Sequence, residues 1–226
     1  LIYRQNGTIT YTIPETIEVC ENSNVSIFVD SNADQYQWQV SNDNGVNWTN
    51  LTDDTTTYSG TNSNELLISN TSLALHNNQY RVLLNRDTYA CDDLQTTVTT
   101  LTVNALPVIN GNSFAIEECI SELVDENERT ISLRGVESRI TQTPDVEFRY
   151  YLDANTTNEI ADPNSYPFTI QQSERLYVRV TSASGCVSPE VITKDVNVGF
   201  ADEELTLPGV QSIECDDVVP GISTDT

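Results

Sequence analysis

The sequence predicts an all-β protein built from β-sandwiches arranged in tandem. Asn, Thr, Ser, Val and Asp are common, and long stretches of Ala, Leu, Glu and Lys are absent, which favours strands and turns over helices. Short alternating segments are separated by turn signals roughly every ten residues. Cysteines in similar settings recur about 97 residues apart. The 226-residue chain is therefore expected to hold two sandwiches, each of about 100 residues.

Three cysteines mark the starts of the repeats. Cys20, Cys119 and Cys215 close the segments IEVC, IEEC and SIEC, and the steps between them are 99 and 96 residues. An aliphatic residue followed by proline lies upstream of each. This period assigns the first repeat to residues 14–105, the second to 106–206 and the start of a third to 207–226.

Residues 1–13 leave two interpretations open. They are either the last strand of a preceding repeat or the leading strand of the first.

The other two cysteines mark the ends of repeats. Cys91 and Cys186 each close an alternating strand and its polar loop, YRVLLNRDTYAC and YVRVTSASGC. Because no CxxC pair occurs, the cysteines indicate structural disulfides in an oxidising compartment. The predicted pairing lies within repeats, Cys20–Cys91 and Cys119–Cys186, and each bond would be worth roughly 4 kcal/mol for a loop of about 70 residues. Cys215 is expected to have its partner beyond residue 226.

Five segments of the first repeat alternate apolar and polar residues as half-buried strands do. The turn at 42–45 contains Asn-Gly, which tolerates positive φ, and Trp48 lies on the returning strand. A short helical turn is expected within 71–80. The five predicted strands are Asn24–Asp30, Tyr36–Ser41, Asn64–Asn70, Tyr80–Leu84 and Thr96–Val103.

The order of these elements predicts an immunoglobulin-like sandwich of about seven strands. Trp38 occupies the position of the buried Trp on the third strand. Tyr80 occupies that of the tyrosine corner at the start of the sixth strand. The sequence departs from the antibody pattern at Val82, where the second core cysteine would stand. The sequence therefore predicts a disulfide at the end of the sandwich and none across its core.

The second repeat is predicted to be a divergent sandwich of the same plan. It has no Trp, so Phe148 or Tyr150 is expected to fill the central core position. A helical turn is expected at Gly135–Ile140. The predicted strands are Arg129–Val136, Val146–Asp153, Tyr166–Ile170, Arg175–Thr181 and Val191–Val198.

The segments YQWQVSNDNGVNWTNL, YSGTNSNELLISN and NNQYRV resemble immunoglobulin-like repeats of very large secreted surface proteins of Bacteroidota. The start LPGVQSIECDDVVPGIST resembles a companion repeat of these proteins, which opens on Cys-Asp-Asp, whereas Cys119 is followed by Ile-Ser. Such proteins are similar to gliding-motility adhesins and are typically exported by type IX secretion. The resemblance implies an extracellular, cell-surface location, with neighbouring repeats of the same chain as partners.

The formal net charge of −24 argues against nucleic acid and anionic membranes as partners. No apolar run approaches the roughly 18 residues of a membrane-spanning helix, so direct membrane insertion is not expected. The single histidine, His76, lies in a predicted turn, and no GxSxG accompanies it. We therefore expect no catalytic site and no required cofactor.

Two features leave a choice between an inert surface and a ligand site. The acids Asp202, Glu203, Asp216 and Asp217 are either solvated loop residues or a Ca²⁺ site where repeats two and three meet. Trp48 either packs against the sandwich or offers a ring to a sugar.

Together, these features predict a non-catalytic repeat segment of a long surface adhesin or fibre, acting as a disulfide-stapled spacer or adhesive stalk. The alternative is a module that binds surface glycans or proteins, as an accessory to a secreted hydrolase.

Overall fold

The computed structural model consists of two sets of β-strands, one in each half of the chain. The structure describes residues 8–86, 93–111, 113–120, 128–169, 173–188 and 192–200. The chain divides into two compact units, Leu1–Leu106 (unit one) and Pro107–Thr226 (unit two). The predicted start of a third repeat, 207–226, lies outside the described residues. The all-β, immunoglobulin-like fold class is confirmed.

Unit one contains short strands joined by tight turns. They are β1 (Tyr11–Thr12), β2 (Thr16–Cys20), β3 (Val25–Phe28), β4 (Asp30–Ser31), β5 (Gln35–Ser41), β6 (Thr49–Asn50), β7 (Tyr58–Ser59), β8 (Glu65–Ile68), β9 (Gln79–Asn85), β10 (Leu94–Gln95) and β11 (Thr99–Asn104). A 3-10 turn at Leu73–Leu75 lies where a helical turn is predicted. The predicted turn at 42–45 is also present, with positive φ at Asn44 (60°) and Gly45 (84°).

The strands of unit one form two facing sheets. One has the order β2-β11-β9-β5-β6, with β10 also paired to β9, and the other has the order β3-β8-β7. Strand β2 runs parallel to β11, whereas the other pairs are antiparallel. The core lies between the sheets because both supply its buried residues, such as Ile27 and Leu66 from one and Trp38 and Val82 from the other. This is the sandwich arrangement of immunoglobulin-like domains.

Strand β1 pairs with β4 inside unit one. Ile9, Tyr11 and Ile13 also pack against the unit-one core. These contacts favour the leading-strand interpretation of residues 1–13, of which residues 1–7 lie outside the described part.

Unit two repeats the plan with fewer described strands. They are β12 (Ser113–Ile120), β13 (Glu128–Ile131), β14 (Glu147–Tyr151), β15 (Tyr166–Thr169), β16 (Ser173–Thr181) and β17 (Ile192–Phe200). The larger sheet has the order β12-β17-β16-β14, and β13 pairs with β15. Strand β12 is parallel to β17, as β2 is to β11.

The predicted strand Arg129–Val136 is wrong in its second half. The strand ends at Ile131, and a 3-10 turn at Leu133–Val136 leads into helix α1 (Glu137–Ile140). The Ser132 hydroxyl caps this segment by accepting a hydrogen bond from the Arg134 N–H at 3.4 Å. The helical segment buries Leu133, Val136 and Ile140 in the core, so its apolar spacing belongs to a helix.

One pair of buried hydroxyls makes the same hydrogen bonds in the two units. In unit one, Thr96 Oγ1 accepts from the Val82 N–H at 3.1 Å, and the Thr96 N–H donates to the Val82 carbonyl. In unit two, Ser188 and Val180 make the same two bonds, at 3.3 and 2.8 Å. This equivalence aligns Val82 with Val180 and allows the two cores to be compared position by position.

Candidate functional site

The cysteines are the residues of this chain with distinctive chemistry, and two of them are described with their side chains. Cys20 is the last residue of β2, level with Asn104 on β11. Cys186 is fully buried in the loop between β16 and β17, where its N–H donates to Ser182 Oγ at 3.1 Å. Both cysteines are disulfide-bonded.

Three other cysteines cannot be assigned a bonding state from the structure. Cys91 and Cys215 lie outside the described residues, and only the backbone of Cys119 is described, on β12. The pairings Cys20–Cys91 and Cys119–Cys186 therefore stay predictions.

The large aromatic residues predicted for the core of unit one lie there. Trp38 is fully buried on β5 and donates its indole N–H to the Ser63 carbonyl at 2.9 Å. Tyr80 is fully buried on β9, and its hydroxyl lies 3.2 Å from the Tyr58 hydroxyl. This contact joins two side chains, whereas a tyrosine corner uses upstream backbone. Burial raises the pKa of Tyr80 above its ordinary value.

Of the two residues proposed for the centre of unit two, Tyr150 is the one that is fully enclosed. It is 1% exposed, and its hydroxyl donates to Glu137 Oε1 at 2.7 Å. Burial raises the pKa of Tyr150, and the nearby Glu137 carboxylate raises it further. Phe148 is only half-buried and packs at the margin of the same core.

Trp48 is half-buried and held by its neighbours. Its indole N–H donates to the Gly45 carbonyl at 3.0 Å, and the Arg81 guanidinium lies 4.1 Å from the ring centroid. Arg81 is fixed by Gln39 and Gln95, whose side-chain oxygens accept at 2.7 and 2.8 Å. The arrangement is a cation–π contact that covers one face of the ring. The sequence signal for it was the alternation that puts Arg81 and Gln39 on the outer face of adjacent strands.

Asp43 organises the turn that precedes Trp48. Its carboxylate accepts bonds from the Asn47 N–H at 2.9 Å, the Asn47 side chain at 2.6 Å and the Ser41 hydroxyl at 2.7 Å. These bonds lower the pKa of Asp43 from 3.8 to about 2. The carboxylate therefore closes the turn with bonds from its own segment.

Other aspartates also fasten loops. Hydrogen bonds from Thr61 lower the pKa of Asp53, and bonds from the N–H groups of Thr57 and Thr56 lower that of Asp54. In unit two, Asp153 accepts from the Asn158 N–H at 2.7 Å. Desolvation opposes ionisation of Asp153, but this bond and those from Thr157 still hold its pKa below the ordinary value.

The predicted calcium residues Asp202, Glu203, Asp216 and Asp217 all lie outside the described residues, so that site stays a prediction. In the part of the chain that is described, no group of three or more His, Cys, Asp or Glu could hold a metal ion. Among the same residues, no helix has the length and apolar character needed to cross a membrane.

His76 has a structural contact. Its Nδ1 lies 3.0 Å from the Val103 carbonyl oxygen and 3.1 Å from the Val103 nitrogen. The ring thus ties the 3-10 turn to strand β11, in keeping with the prediction that it is a turn residue.

Comparison with known proteins bears mainly on unit two. Residues 115–199 match the model of the Flavobacterium inter-domain disulphide bond domain. This match supports the Bacteroidota, immunoglobulin-like part of the resemblance. The search of curated proteins gives no match to this sequence.

Solved structures similar to the chain are immunoglobulin-domain proteins at low identity. The N-terminal Ig1-2 module of the Drosophila receptor protein tyrosine phosphatase DLAR is 11% identical, with a TM-score of 0.34, and the match covers 85% of this chain and 100% of that one. Extracellular domains 3–5 of Drosophila OTK are 10% identical, with a TM-score of 0.42, covering 85% and 62%. Murine CRIg is 13% identical, with a TM-score of 0.34, covering 43% and 99%. The fold assignment depends on the strand order and register of each unit.

Proposed function

We propose that this chain is a non-catalytic repeat segment of a long extracellular surface adhesin or fibre, in which it acts as a disulfide-stapled spacer or stalk. The main observation is that both units repeat one plan, down to the hydroxyl bonds of Thr96 and Ser188. Each unit also contains a disulfide-bonded cysteine, Cys20 in one and Cys186 in the other. Such bonds persist in oxidising, extracytoplasmic compartments.

The described polar residues support a structural role. Asp43, Asp53, Asp54 and Asp153 are used to close loops within their own segments. His76 and Trp48 likewise hold neighbouring backbone or side chains. The match to a family described by an inter-domain disulphide bond adds support for a structural role of the cysteines.

The surface location is tested on intact cells of the bacterium that encodes the chain. Antibodies raised against the 226-residue chain should label these cells, and protease added outside should remove the signal while a cytoplasmic marker survives. Inactivating the type IX export machinery should leave the protein inside the cell. Labelling only after the cells are permeabilised would contradict the proposal.

The spacer role is distinguished from the binding-module alternative by a glycan array and a parallel screen of surface proteins. A spacer should give no saturable binding to either set. Saturable binding to a defined glycan that is lost in Trp48→Ala would favour the alternative. Arg81→Gln is the matched control, because it removes the charge above the ring and keeps the aromatic surface.

A further inference from the structure

Two Asn-Gly pairs lie in the described part of the chain, Asn44–Gly45 in unit one and Asn110–Gly111 in unit two. An asparagine followed by glycine is prone to deamidation, because glycine has no Cβ to shield its backbone nitrogen from the side-chain amide before it. The two pairs have the same residue types. A difference in their reactivity therefore has to come from the structure around them.

The backbone nitrogen of Gly45 is held by a hydrogen bond. Its N–H donates to the Ser41 hydroxyl at 2.8 Å, and that hydroxyl is buried and donates in turn to Asp43 Oδ1 at 2.7 Å. Deamidation requires the Gly45 nitrogen to lose its proton and to turn toward the Asn44 side chain. The bond to Ser41 has to break before that can happen.

The Asn44 side chain is held as well. Its Oδ1 accepts a hydrogen bond from Gln79 Nε2 at 3.2 Å, and a Cβ placed on Gly45 would lie 3.0 Å from Gln79 Oε1. Gln79 therefore packs over the turn and fixes the amide. The φ angles of 60° at Asn44 and 84° at Gly45 belong to the tight turn between β5 and β6. For the amide to reach the Gly45 nitrogen, the side chain has to leave Gln79 and the turn has to open.

Asn110 is anchored through its backbone. Its N–H donates to the Ile140 carbonyl at 2.8 Å, at the end of α1, and its side chain is exposed. Between residues that the structure describes, no hydrogen bond engages the Asn110 side chain or the Gly111 N–H. Gly111 precedes β12, which begins at Ser113. The amide carbon of Asn110 can therefore approach the Gly111 nitrogen without the loss of such a bond.

We infer that Asn110 is a site of spontaneous deamidation in the folded protein, and that Ser41 and Gln79 protect Asn44 from the same reaction. The Gly111 nitrogen gives up its proton to hydroxide, bonds to Asn110 Cγ and displaces ammonia, which leaves a five-membered succinimide ring. Water then opens the ring. Hydrolysis at Cγ gives aspartate and hydrolysis at the backbone carbonyl gives isoaspartate, so one water is consumed, one ammonia is released and nothing is oxidised.

Both products alter the segment that leads into β12. Each adds a negative charge, and isoaspartate also adds a methylene to the backbone between the Ile140 anchor and Ser113. In a surface stalk the converted fraction would record the age of the fibre, a meaning that rests on the proposed function. The reaction is measured on the purified chain, so it stands or fails independently of where the protein lies in the cell.

Incubation of the purified 226-residue chain at mildly alkaline pH measures both sites at once. After reduction, trypsin places Asn44 in peptide 5–81 and Asn110 in peptide 87–129, and fragmentation spectra assign each conversion to its residue. We expect Asn110 to convert about tenfold faster than Asn44, the difference that two ordinary hydrogen bonds supply. Conversion of Asn44 as fast as that of Asn110 would overturn the inference.

The same incubation in concentrated urea is the control for local sequence. Unfolding removes the bonds made by Ser41 and Gln79, so the rates at Asn44 and Asn110 should converge. A difference that persisted in urea would overturn the inference, because it would come from the neighbouring residues in the sequence.

Two variants test the protection of Asn44. Ser41→Ala removes the acceptor of the Gly45 N–H and should speed conversion of Asn44 about threefold. Gln79→Ala removes the bond to the Asn44 amide, leaves the buried hydroxyl in place and should have a similar effect. The fluorescence of Trp48, whose indole N–H donates to the Gly45 carbonyl, verifies that each variant is folded. An unchanged rate at Asn44 in the folded variants would contradict the protective role.

Gly111→Ala is the matched change at the reactive site. The added Cβ shields the attacking nitrogen, so conversion of Asn110 should slow markedly while that of Asn44 stays the same. An unaltered rate at Asn110 would show that the Gly111 nitrogen is not the attacking group, and would overturn the assignment.

Discussion

The two units place their central aromatic residue on opposite strands of the same cross-strand pair. Aligning Val82 with Val180 makes the pair Val40–Tyr80 of unit one equivalent to Tyr150–Val178 of unit two. The aromatic ring is on the later strand in one unit and on the earlier strand in the other. Because a core position requires volume and a partner for the polar tip, either strand can supply it.

The neighbouring core position shows how unit two fills the space that a Trp occupies in unit one. Trp38 is fully buried, whereas the equivalent Phe148 is only half-buried. The helical segment 133–140 adds Leu133, Val136 and Ile140 to the unit-two core. Unit one thus fills its centre from facing strands, and unit two fills part of it from a helix.

The largest effect is expected from Trp38→Ala. This change should lower the free energy of unfolding of unit one by about 3–5 kcal/mol, because it leaves a cavity in the core. Phe148→Ala at the equivalent position should cost about 1–2 kcal/mol, because that ring is half-exposed. Denaturant unfolding followed by the fluorescence of Trp48 reports unit one alone, since both tryptophans belong to it. Hydrogen exchange by mass spectrometry reports unit two. An equal loss of stability in the two variants would contradict the difference in burial between Trp38 and Phe148.

A smaller difference is expected between two glycines with positive φ, Gly60 at 77° and Gly185 at 82°. A Cβ on Gly60 would overlap the Glu65 carbonyl oxygen, whereas Gly185 faces open space. Gly60→Ala should cost about 2–3 kcal/mol, and Gly185→Ala about 1 kcal/mol from backbone strain alone. Trp48 fluorescence measures the stability lost in unit one, and hydrogen exchange measures the stability lost in unit two. A Gly185→Ala cost as large as that of Gly60→Ala would contradict the packing difference.

Tyr150→Phe should cost unit two about 1–2 kcal/mol, because it keeps the ring and removes the hydroxyl that donates to Glu137. Tyr80→Phe is the matched change in unit one, where the hydroxyl pairs with the neutral Tyr58. Its cost should be lower, since a bond to a carboxylate is stronger than one between phenols. Hydrogen exchange measures the loss of stability in unit two, and Trp48 fluorescence measures the loss in unit one. The reverse order would show that Glu137 contributes little.

The smallest effect concerns acid stability. The folded pKa of Asp43 is lowered from 3.8 to about 2, so its stabilising effect is present in full above about pH 5 and is lost as the pH falls toward 2. Asp43→Asn should lower the stability of unit one slightly at neutral pH and flatten its decline between pH 4 and 2. Asp153→Asn should act on unit two, whose loop is closed by that carboxylate. Fluorescence-detected unfolding across this pH range checks the first change, and an unaltered slope would contradict it.

Much of the fold could be predicted because local patterns and burial agree. The alternation around Trp38 and Tyr80, and the Asn44-Gly45 turn, require particular side-chain faces and backbone angles whatever the tertiary context. The strands β2 and β12 were missed because each is an edge strand with acids beside its cysteine. Their partner is β11 or β17, which lies 80 or more residues away in the sequence. The strand predicted at Arg129–Val136 runs too far because short apolar runs suit both strands and helices, whereas the helical turn predicted at Gly135–Ile140 overlaps helix α1.

The sequence by itself determined the all-β class, the repeat period, and the aromatic residues that occupy the cores. These features depend on composition, alternation and spacing, which are properties of the chain alone. Only the tertiary structure decided the parallel pairing of β2 with β11 and of β12 with β17, because each pair joins segments that lie 80 or more residues apart in the sequence.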